Sequence, residues 1–368
     1  MQATGLKRLV LVAGGTGGRI FPAIGLGQCL SSQMPDLEVS YVSGSRPLEL
    51  EIYGNAGIEP VFLPCEGSPL GTGGVRAVTR WIQVLRSVRA MTRFFGETKP
   101  DACVLFGGYV SFPALVAGRI KRVRTLVHEQ NAVAGKVTRL ASRLGIVPLT
   151  GWEACEPFSK GQFEEIGVPV RPMKRLPRRE AWNKLGLGGL PDGKICLVLG
   201  GSLGSSALAG KVVEISRLPE FTGWSFLVMG KEMGDNHPSD RVWGIPRRWD
   251  MGPLYSLADV AVARGGASTL SELRAWAIPA LVVPWPESRD DHQAANARLF
   301  EESGCGLVWD EMRGSGGELV ARLIQLGKKS DAEDGISVDP GIAADRTSQV
   351  FLGKILRTLE GGDGNWMD

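Results

Sequence analysis

The sequence predicts an α/β protein made of two doubly wound, Rossmann-like parallel-sheet domains facing one cleft, and three observations carry the prediction. The apolar run Leu9-Val10-Leu11-Val12-Ala13 enters a glycine turn, Gly14-Gly15-Thr16-Gly17-Gly18. The same grammar returns at Ile195-Cys196-Leu197-Val198-Leu199, which enters Gly200-Gly201-Ser202-Leu203-Gly204. Around each turn, short apolar strands alternate with helix-length segments. In such domains ligands sit beyond the carboxyl ends of the strands, and backbone N–H groups at a helix start receive anions.

In the first half, apolar runs read as strands near 9–13, 39–42, 61–63, 102–106 and 124–128, and 3.6-residue periodicity reads as helices near 22–33, 47–56, 76–95, 111–120 and 135–144. The helix over 76–95 sets Trp81, Val84, Leu85, Val88, Met91 and Phe95 on one face and Arg86, Arg89 and Arg93 on the other, with Arg76 and Arg80 toward the edge. Ile166-Gly167-Val168-Pro169-Val170-Arg171-Pro172 and the basic run Lys174 to Arg179 break the alternation and read as a linker. The second half follows with strands near 195–199, 225–229, 260–263 and 280–283 and helices near 205–217, 253–258, 267–277, 291–303 and 316–327. A polar stretch over 329–342 reads as a loop, a last helix spans 344–359, and Gly361 to Asp368 read as a disordered tail. The expected divisions are 1–165, a linker over 166–179, 180–342, a C-terminal helix over 343–360 that crosses back, and the tail over 361–368.

Composition narrows the class. A chain of 368 residues accommodates two cores, and a net charge of +3 is too small for a nucleic-acid binder. The six cysteines form no CxxC pair and several lie in apolar strand runs, which predicts buried reduced thiols, a cytosolic protein and no structural zinc. The first strand begins within ten residues of the start, so no signal peptide is expected, and no apolar run approaches ~18 residues, so no membrane-spanning segment is expected.

The glycine turns also exclude two common ligand classes. Gly15-Thr16-Gly17-Gly18-Arg19-Ile20 lacks the last glycine of the dinucleotide fingerprint, and Ser43-Gly44 stands where a ribose-binding acid belongs. The spacing from Gly204 to Lys211 is one residue too long for a P-loop, and Val212 replaces the magnesium-binding hydroxyl.

The densest polar chemistry lies at Arg264-Gly265-Gly266-Ala267-Ser268-Thr269-Leu270-Ser271-Glu272. A strand ends at Arg264, two glycines turn the chain, and the next helix opens with free N–H groups suited to a diphosphate. Glu272, an acceptor-only carboxylate, fits a vicinal diol such as a ribose, or simple dipole complementarity in its helix. Gln293 and Asn296 share one face of a following helix, whose cap is Asp290 or Asp291. In the first half, Gly107-Gly108-Tyr109-Val110-Ser111 and His128-Glu129-Gln130-Asn131 end strands on the same rim as Gly14 to Gly18. His128 alone reads as a structural histidine, but four consecutive polar side chains all need partners, which favours a site.

Taken together, Gly14-Gly15-Thr16-Gly17-Gly18-Arg19-Ile20-Phe21-Pro22, Gly107 to Ser111, His128 to Asn131, Gly200 to Gly204 and the block from Arg264 to Asn296 resemble the MurG family, in order over most of residues 8–305. These bacterial transferases add N-acetylglucosamine from UDP-N-acetylglucosamine to lipid I, the undecaprenyl-diphospho-muramoyl-pentapeptide, giving lipid II. The resemblance implies a GT-B fold, with an N-terminal acceptor and membrane-side domain and a C-terminal UDP-sugar domain. It implies that Thr16, Gly17 and Gly18 contact diphosphate or sugar, Asn131 and Gln293 the sugar, Arg171 and Ser202 the donor phosphates, and Ala267, Ser268, Thr269, Leu270, Ser271 and Glu272 the phosphates and ribose.

The implied reaction is inverting and needs no cofactor or metal: helix N-termini with Arg171 or Arg264 offset the leaving diphosphate, in keeping with the lack of an Asp-x-Asp motif. The chain departs from the family at Arg19, where the family has His, at Val168 in the linker, and at Arg247-Arg248-Trp249 on the approach to the uracil. Arginine cannot accept a proton at neutral pH, so Arg19 is expected to stabilise charge, and proton removal falls to Glu129 or His128. The implied setting is the cytoplasmic face of the cell membrane, bound peripherally to anionic lipid through the arginine-rich helix, with cell-wall synthesis proteins as partners. Another lipid-directed glycosyltransferase and a catalytically silent UDP-sugar binder remain the alternatives.

Overall fold

Two parallel sheets organise the chain, each inside its own compact unit: the chain up to Pro172 together with the segment from Ala344 onward, and Met173–Ala343. The computed structural model describes residues 5–67, 74–200, 206–230, 241–288, 291–332 and 339–360.

The first sheet contains β1 (Arg8–Val12), β2 (Glu38–Ser43), β3 (Val61–Phe62), β4 (Ala102–Leu105), β5 (Arg124–Glu129), β6 (Leu149–Thr150) and β7 (Glu164–Glu165), in the order β3-β2-β1-β4-β5-β6-β7. Every pairing is parallel. Leu9 to Val12 and Ala102 to Leu105 are buried, as central strands covered on both faces require. Around them run α1 (Gly17–Gln33), α2 (Pro47–Asn55), α3 (Gly74–Thr98), α4 (Ser111–Lys121) and α5 (Lys136–Arg143). Strand order reverses at β1, which pairs with both β2 and β4, so the Gly14 and Gly107 turns leave the sheet at its switch point.

In the second unit, α6 (Arg178–Lys184) precedes β8 (Lys194–Leu199), α7 (Ser206–Ile215), β9 (Trp224–Gly230), β10 (Val242–Pro246), α8 (Gly252–Leu257), β11 (Val260–Ala263), α9 (Ala267–Ala275), β12 (Ala280–Val282), α10 (His292–Glu302), β13 (Gly306–Val308) and α11 (Gly316–Ala332). The parallel order is β10-β9-β8-β11-β12-β13, with the switch point between β8 and β11. The last helix, α12 (Pro340–Glu360), contributes its residues from Ala344 onward to the first unit. There Phe351 stacks on Phe106 at 6.2 Å between ring centroids, and Lys354 pairs with Glu164.

Several elements differ from the sequence reading. Helix α1 begins at Gly17, five residues before the proline that read as its start, and keeps Pro22 inside at the loss of one intrahelical bond. Strands β6, β7, β10 and β13 are two to five residues long and too brief for a periodic signal. The basic stretch read as linker enters α6, α11 runs on to Ala332, and α12 starts at Pro340. The Gly201 to Gly204 part of the second glycine turn, Asp290 and the tail from Gly361 lie outside the described residues.

Helix α3 corrects the predicted face. Val84, Met91 and Phe95 bury against the core, but Trp81 and Leu85 do not join them. Instead Val78, Trp81, Ile82 and Leu85, at a spacing of three, four and seven, form an exposed apolar stripe, with exposures of 60, 46, 44 and 67%. Exposed Arg86, Arg89 and Arg93 follow, the last paired with Glu97 at 2.7 Å. Among the described residues no helix is long and apolar enough to cross a membrane. Cys29, Cys65, Cys103, Cys155 and Cys196 are buried and free, and burial pushes the thiols of Cys103 and Cys196 far up.

Candidate active site

At the switch point of the first sheet the turns after β1 and β4 touch. A Cβ on Gly108 would lie 2.5 Å from the Gly14 carbonyl oxygen, and φ at Gly108 is +81°, so only glycine fits this crossing. Arg19, in the first turn of α1, runs its side chain along this junction: Cβ atoms placed on Gly15, Gly107 and Gly108 would meet it at 3.4 to 3.5 Å. Thr16 is the N-cap of α1 in extended conformation and makes no side-chain capping bond, so its hydroxyl is not spent on the helix start. Gly17 packs against the Phe21 ring, over which the Arg171 guanidinium stands at 4.2 Å. Thr16, Gly17, Gly18, Arg19 and Arg171 therefore gather around one helix start.

Glu49 lies behind this loop and was not singled out by the sequence reading. Fully buried, its carboxylate accepts hydrogen bonds from the Gly15 N–H, from the Arg46 N–H at 2.9 Å and from the Tyr109 hydroxyl. One side chain thus ties together the turns after β1, β2 and β4. Arg46 stacks over the Tyr109 ring at 4.5 Å, and burial, then the Glu49 carboxylate, pushes the Tyr109 phenol strongly upward. The local signal was Arg46-x-x-Glu49, a capping-box spacing at the start of α2.

His128 and Glu129, the expected proton acceptors, both make their hydrogen bonds inside the first unit. His128 is fully buried between Phe106 and Phe351, with ring centroids at 5.5 and 5.2 Å. The Gly167 carbonyl lies 2.9 Å from Nε2, which assigns the proton to Nε2 and leaves Nδ1 to accept from Gln130 at 2.9 Å. Burial lowers its pKa to about 4, against the opposing pull of the Gly167 carbonyl. The ring serves as a neutral structural link. Glu129 is 4% exposed; Oε1 accepts from the Asn131 N–H and side-chain amide, and Oε2 from the Gly135 N–H at 2.8 Å and Thr138 Oγ1 at 2.7 Å. With both oxygens engaged by donors, Glu129 shapes the loop that carries Asn131.

In the second unit the turn after β11 is braced from α10. Gln293 Oε1 accepts from the Gly265 N–H at 3.1 Å and the Trp285 N–H at 3.0 Å, while Asn296 Nδ2 donates to the Gly265 carbonyl at 2.9 Å. A Cβ on Gly265 would stand 2.3 Å from the Gln293 carbonyl oxygen, so this contact requires glycine. Helix α9 then starts at Ala267 behind Gly266, a cap with no side chain, which leaves the N–H groups of its first turn without side-chain capping. Ala267, Ser268, Leu270 and Glu272 are buried, and Thr269 and Ser271 are partly exposed. Asp291 holds the cap position of α10 at φ +49° and makes no capping bond with its side chain.

Arg264 was expected to offset a diphosphate, and its visible commitments point inward. Its Nη1 donates to the carbonyls of Val283 and Pro284 and to Glu311 Oε1 at 2.7 Å, and both ion-pair partners are at least nine-tenths buried. A buried guanidinium needs such partners, and here it joins the ends of β11 and β12 to the segment after β13. Glu272, 5% exposed, accepts a 2.8 Å hydrogen bond on Oε2 from the hydroxyl of Tyr255, itself 1% exposed. Neither Glu311 nor Tyr255 carries a sequence signal, because each meets its partner only through the fold. Ser202 lies outside the described residues.

Comparison with known proteins adds to this geometry. Residues 9–145 match the glycosyltransferase family 28 N-terminal domain, and residues 195–335 match its C-terminal domain. The chain is 31% identical over 333 residues, covering 87% of itself and 88% of the relative, to the UDP-N-acetylglucosamine--N-acetylmuramyl-(pentapeptide) pyrophosphoryl-undecaprenol N-acetylglucosamine transferase of Carboxydothermus hydrogenoformans. It is 32% identical over 344 residues to the protein of that name from Desulfotalea psychrophila, with 89% of each chain covered. Among solved structures, Acinetobacter baumannii MurG is similar in fold, with a TM-score of 0.68 and 24% identity over 95% of this chain and 99% of the other.

Proposed function

The chain belongs to glycosyltransferase family 28, and from that premise we propose that it transfers N-acetylglucosamine from UDP-N-acetylglucosamine to the muramyl-pentapeptide carried on undecaprenyl diphosphate, a step of peptidoglycan synthesis. The observation that carries this reading is the match to transferases of that name over 87% of the chain, with both family domains in order.

The second unit would take the donor. The N–H groups at the start of α9 face the charge of its diphosphate, with Ala267 to Ser271 alongside, and Glu272 accepts from the ribose diol. Gln293, with Oε1 occupied by two backbone donors, turns its amide N–H groups to the sugar. In the first unit, Thr16 to Gly18, Arg19 and Arg171 would receive a diphosphate, and Asn131, oriented by Glu129, a sugar. An acceptor hydroxyl attacks the anomeric carbon and gives up its proton to solvent water, UDP leaves with its electron pair on the β-phosphate oxygen, and configuration inverts. Cations and helix N–H groups fixed before reaction stabilise that developing charge.

The exposed stripe of α3 and its flanking arginines support peripheral attachment to an anionic membrane surface on the cytoplasmic side, where a lipid-linked acceptor is reached. Donor competition tests the function: UDP-N-acetylglucosamine should bind in preference to UDP-glucose and UDP-galactose, and equal binding of all three would remove the proposed sugar.

A further inference from the structure

We infer that Tyr255 is a positioning residue for donor recognition, holding the Glu272 carboxylate in the one orientation that accepts both hydroxyls of the donor ribose; the inference rests on the donor role proposed above for Glu272. Glutamate reaches a ligand through three rotatable bonds, and a diol needs both carboxylate oxygens in one plane. A carboxylate that wavers loses one of the two bonds.

The fold removes that freedom from one side. The Tyr255 hydroxyl donates to Glu272 Oε2 at 2.8 Å inside the core, where water does not compete. Tyr255 cannot easily shift, because its ring packs on Trp276 at 5.5 Å and both are almost fully buried. Trp276 is in turn held by Arg175, whose guanidinium lies 5.0 Å from the indole centroid and whose Nη2 donates to the Trp276 carbonyl at 2.9 Å. Since Trp276 caps the C-terminal end of α9, the helix that carries Glu272 is fixed at one end while its carboxylate is fixed by α8. Packing alone would be satisfied by phenylalanine at 255. The hydroxyl is the part that the Glu272 carboxylate uses.

Tyr255→Phe keeps the ring and removes the hydroxyl. We expect the Michaelis constant for UDP-N-acetylglucosamine to rise about ten-fold, as for a lost hydrogen bond to a charged group, with the turnover number unchanged within about two-fold. The preference for this donor over its 2′-deoxyuridine analogue should fall to the level of Glu272→Ala. In the Glu272→Ala background the same change should add nothing, since the two act as a unit. A preference that collapses in Glu272→Ala but stands in Tyr255→Phe overturns the role of Tyr255 and leaves the ribose reading intact. One that stands in both overturns the ribose reading and the inference with it. Should Tyr255→Phe not fold, 4-fluorophenylalanine incorporated at position 255 fills the space of the hydroxyl without donating and is expected to show the same loss of ribose preference.

Discussion

The Tyr109 hydroxyl reaches both oxygens of the Glu49 carboxylate, at 2.8 Å and 2.7 Å, from a loop 60 residues away in sequence. Because Glu49 also receives the N–H groups of Gly15 and Arg46, this pair fixes the turn that carries Thr16, Gly17 and Gly18. Tyr109→Phe leaves the buried carboxylate one donor short and should destabilise the protein by about 1.5–3 kcal/mol. Urea unfolding of Tyr109→Phe, Glu49→Gln and the double variant measures it; additive losses would show that the two residues do not act together.

His128 sets a pH dependence. Its pKa is about 4 in the folded protein and near its ordinary value of 6.5 when unfolded, so between these values the unfolded chain binds more protons. The stability it contributes is complete above pH 6.5 and is lost as pH falls toward 4, by up to about 3 kcal/mol. His128→Gln should flatten this limb in urea midpoints recorded across that range. An unaltered limb would mean that other groups produce it.

Glu129 separates a shaping role from a proton-accepting one. Glu129→Gln removes a carboxylate that receives four donors, so unfolding free energy should drop by about 1–3 kcal/mol together with turnover. Thermal and kinetic measurements on one preparation decide between them. A turnover loss of about 10²–10⁴-fold at unchanged stability would restore Glu129 as the base.

The α3 stripe is open to direct measurement by vesicle co-sedimentation. Leu85→Glu places a charge in the middle of the exposed apolar residues and should abolish binding to anionic vesicles while leaving the core untouched, since Leu85 is 67% exposed. Binding of the unmodified protein should fall as salt rises, because the arginines act through a screened field. Equal binding to neutral vesicles would remove the electrostatic part.

Much of this architecture was legible in the sequence because it depends on local signals. The runs at Leu9 to Ala13 and Ile195 to Leu199 are apolar throughout because central parallel strands are covered on both faces, and the glycines that follow mark where the chain must turn. Relations across the fold were hidden. Arg264 finds Glu311 47 residues on, and Tyr255 finds Glu272 17 residues on, so neither pair has a spacing rule. In α3 the period identified a helix, but which residues cover the sheet depends on where the sheet lies, and the predicted single face divided into a buried and an exposed part. His128 shows the limit from the other side: a polar run at a strand end says nothing of burial, and the fold encloses both His128 and Glu129.

This chain transfers sugar rather than only binding it, with Arg19 where the resembling family has histidine. The most direct measurement is mass-spectrometric detection of product after incubating the unaltered protein with UDP-N-acetylglucosamine and a lipid I analogue. The expected result is an acceptor heavier by one N-acetylhexosamine, with one UDP released for each sugar added. Saturable donor binding with no change in acceptor mass would contradict it and identify the protein as a silent UDP-sugar binder.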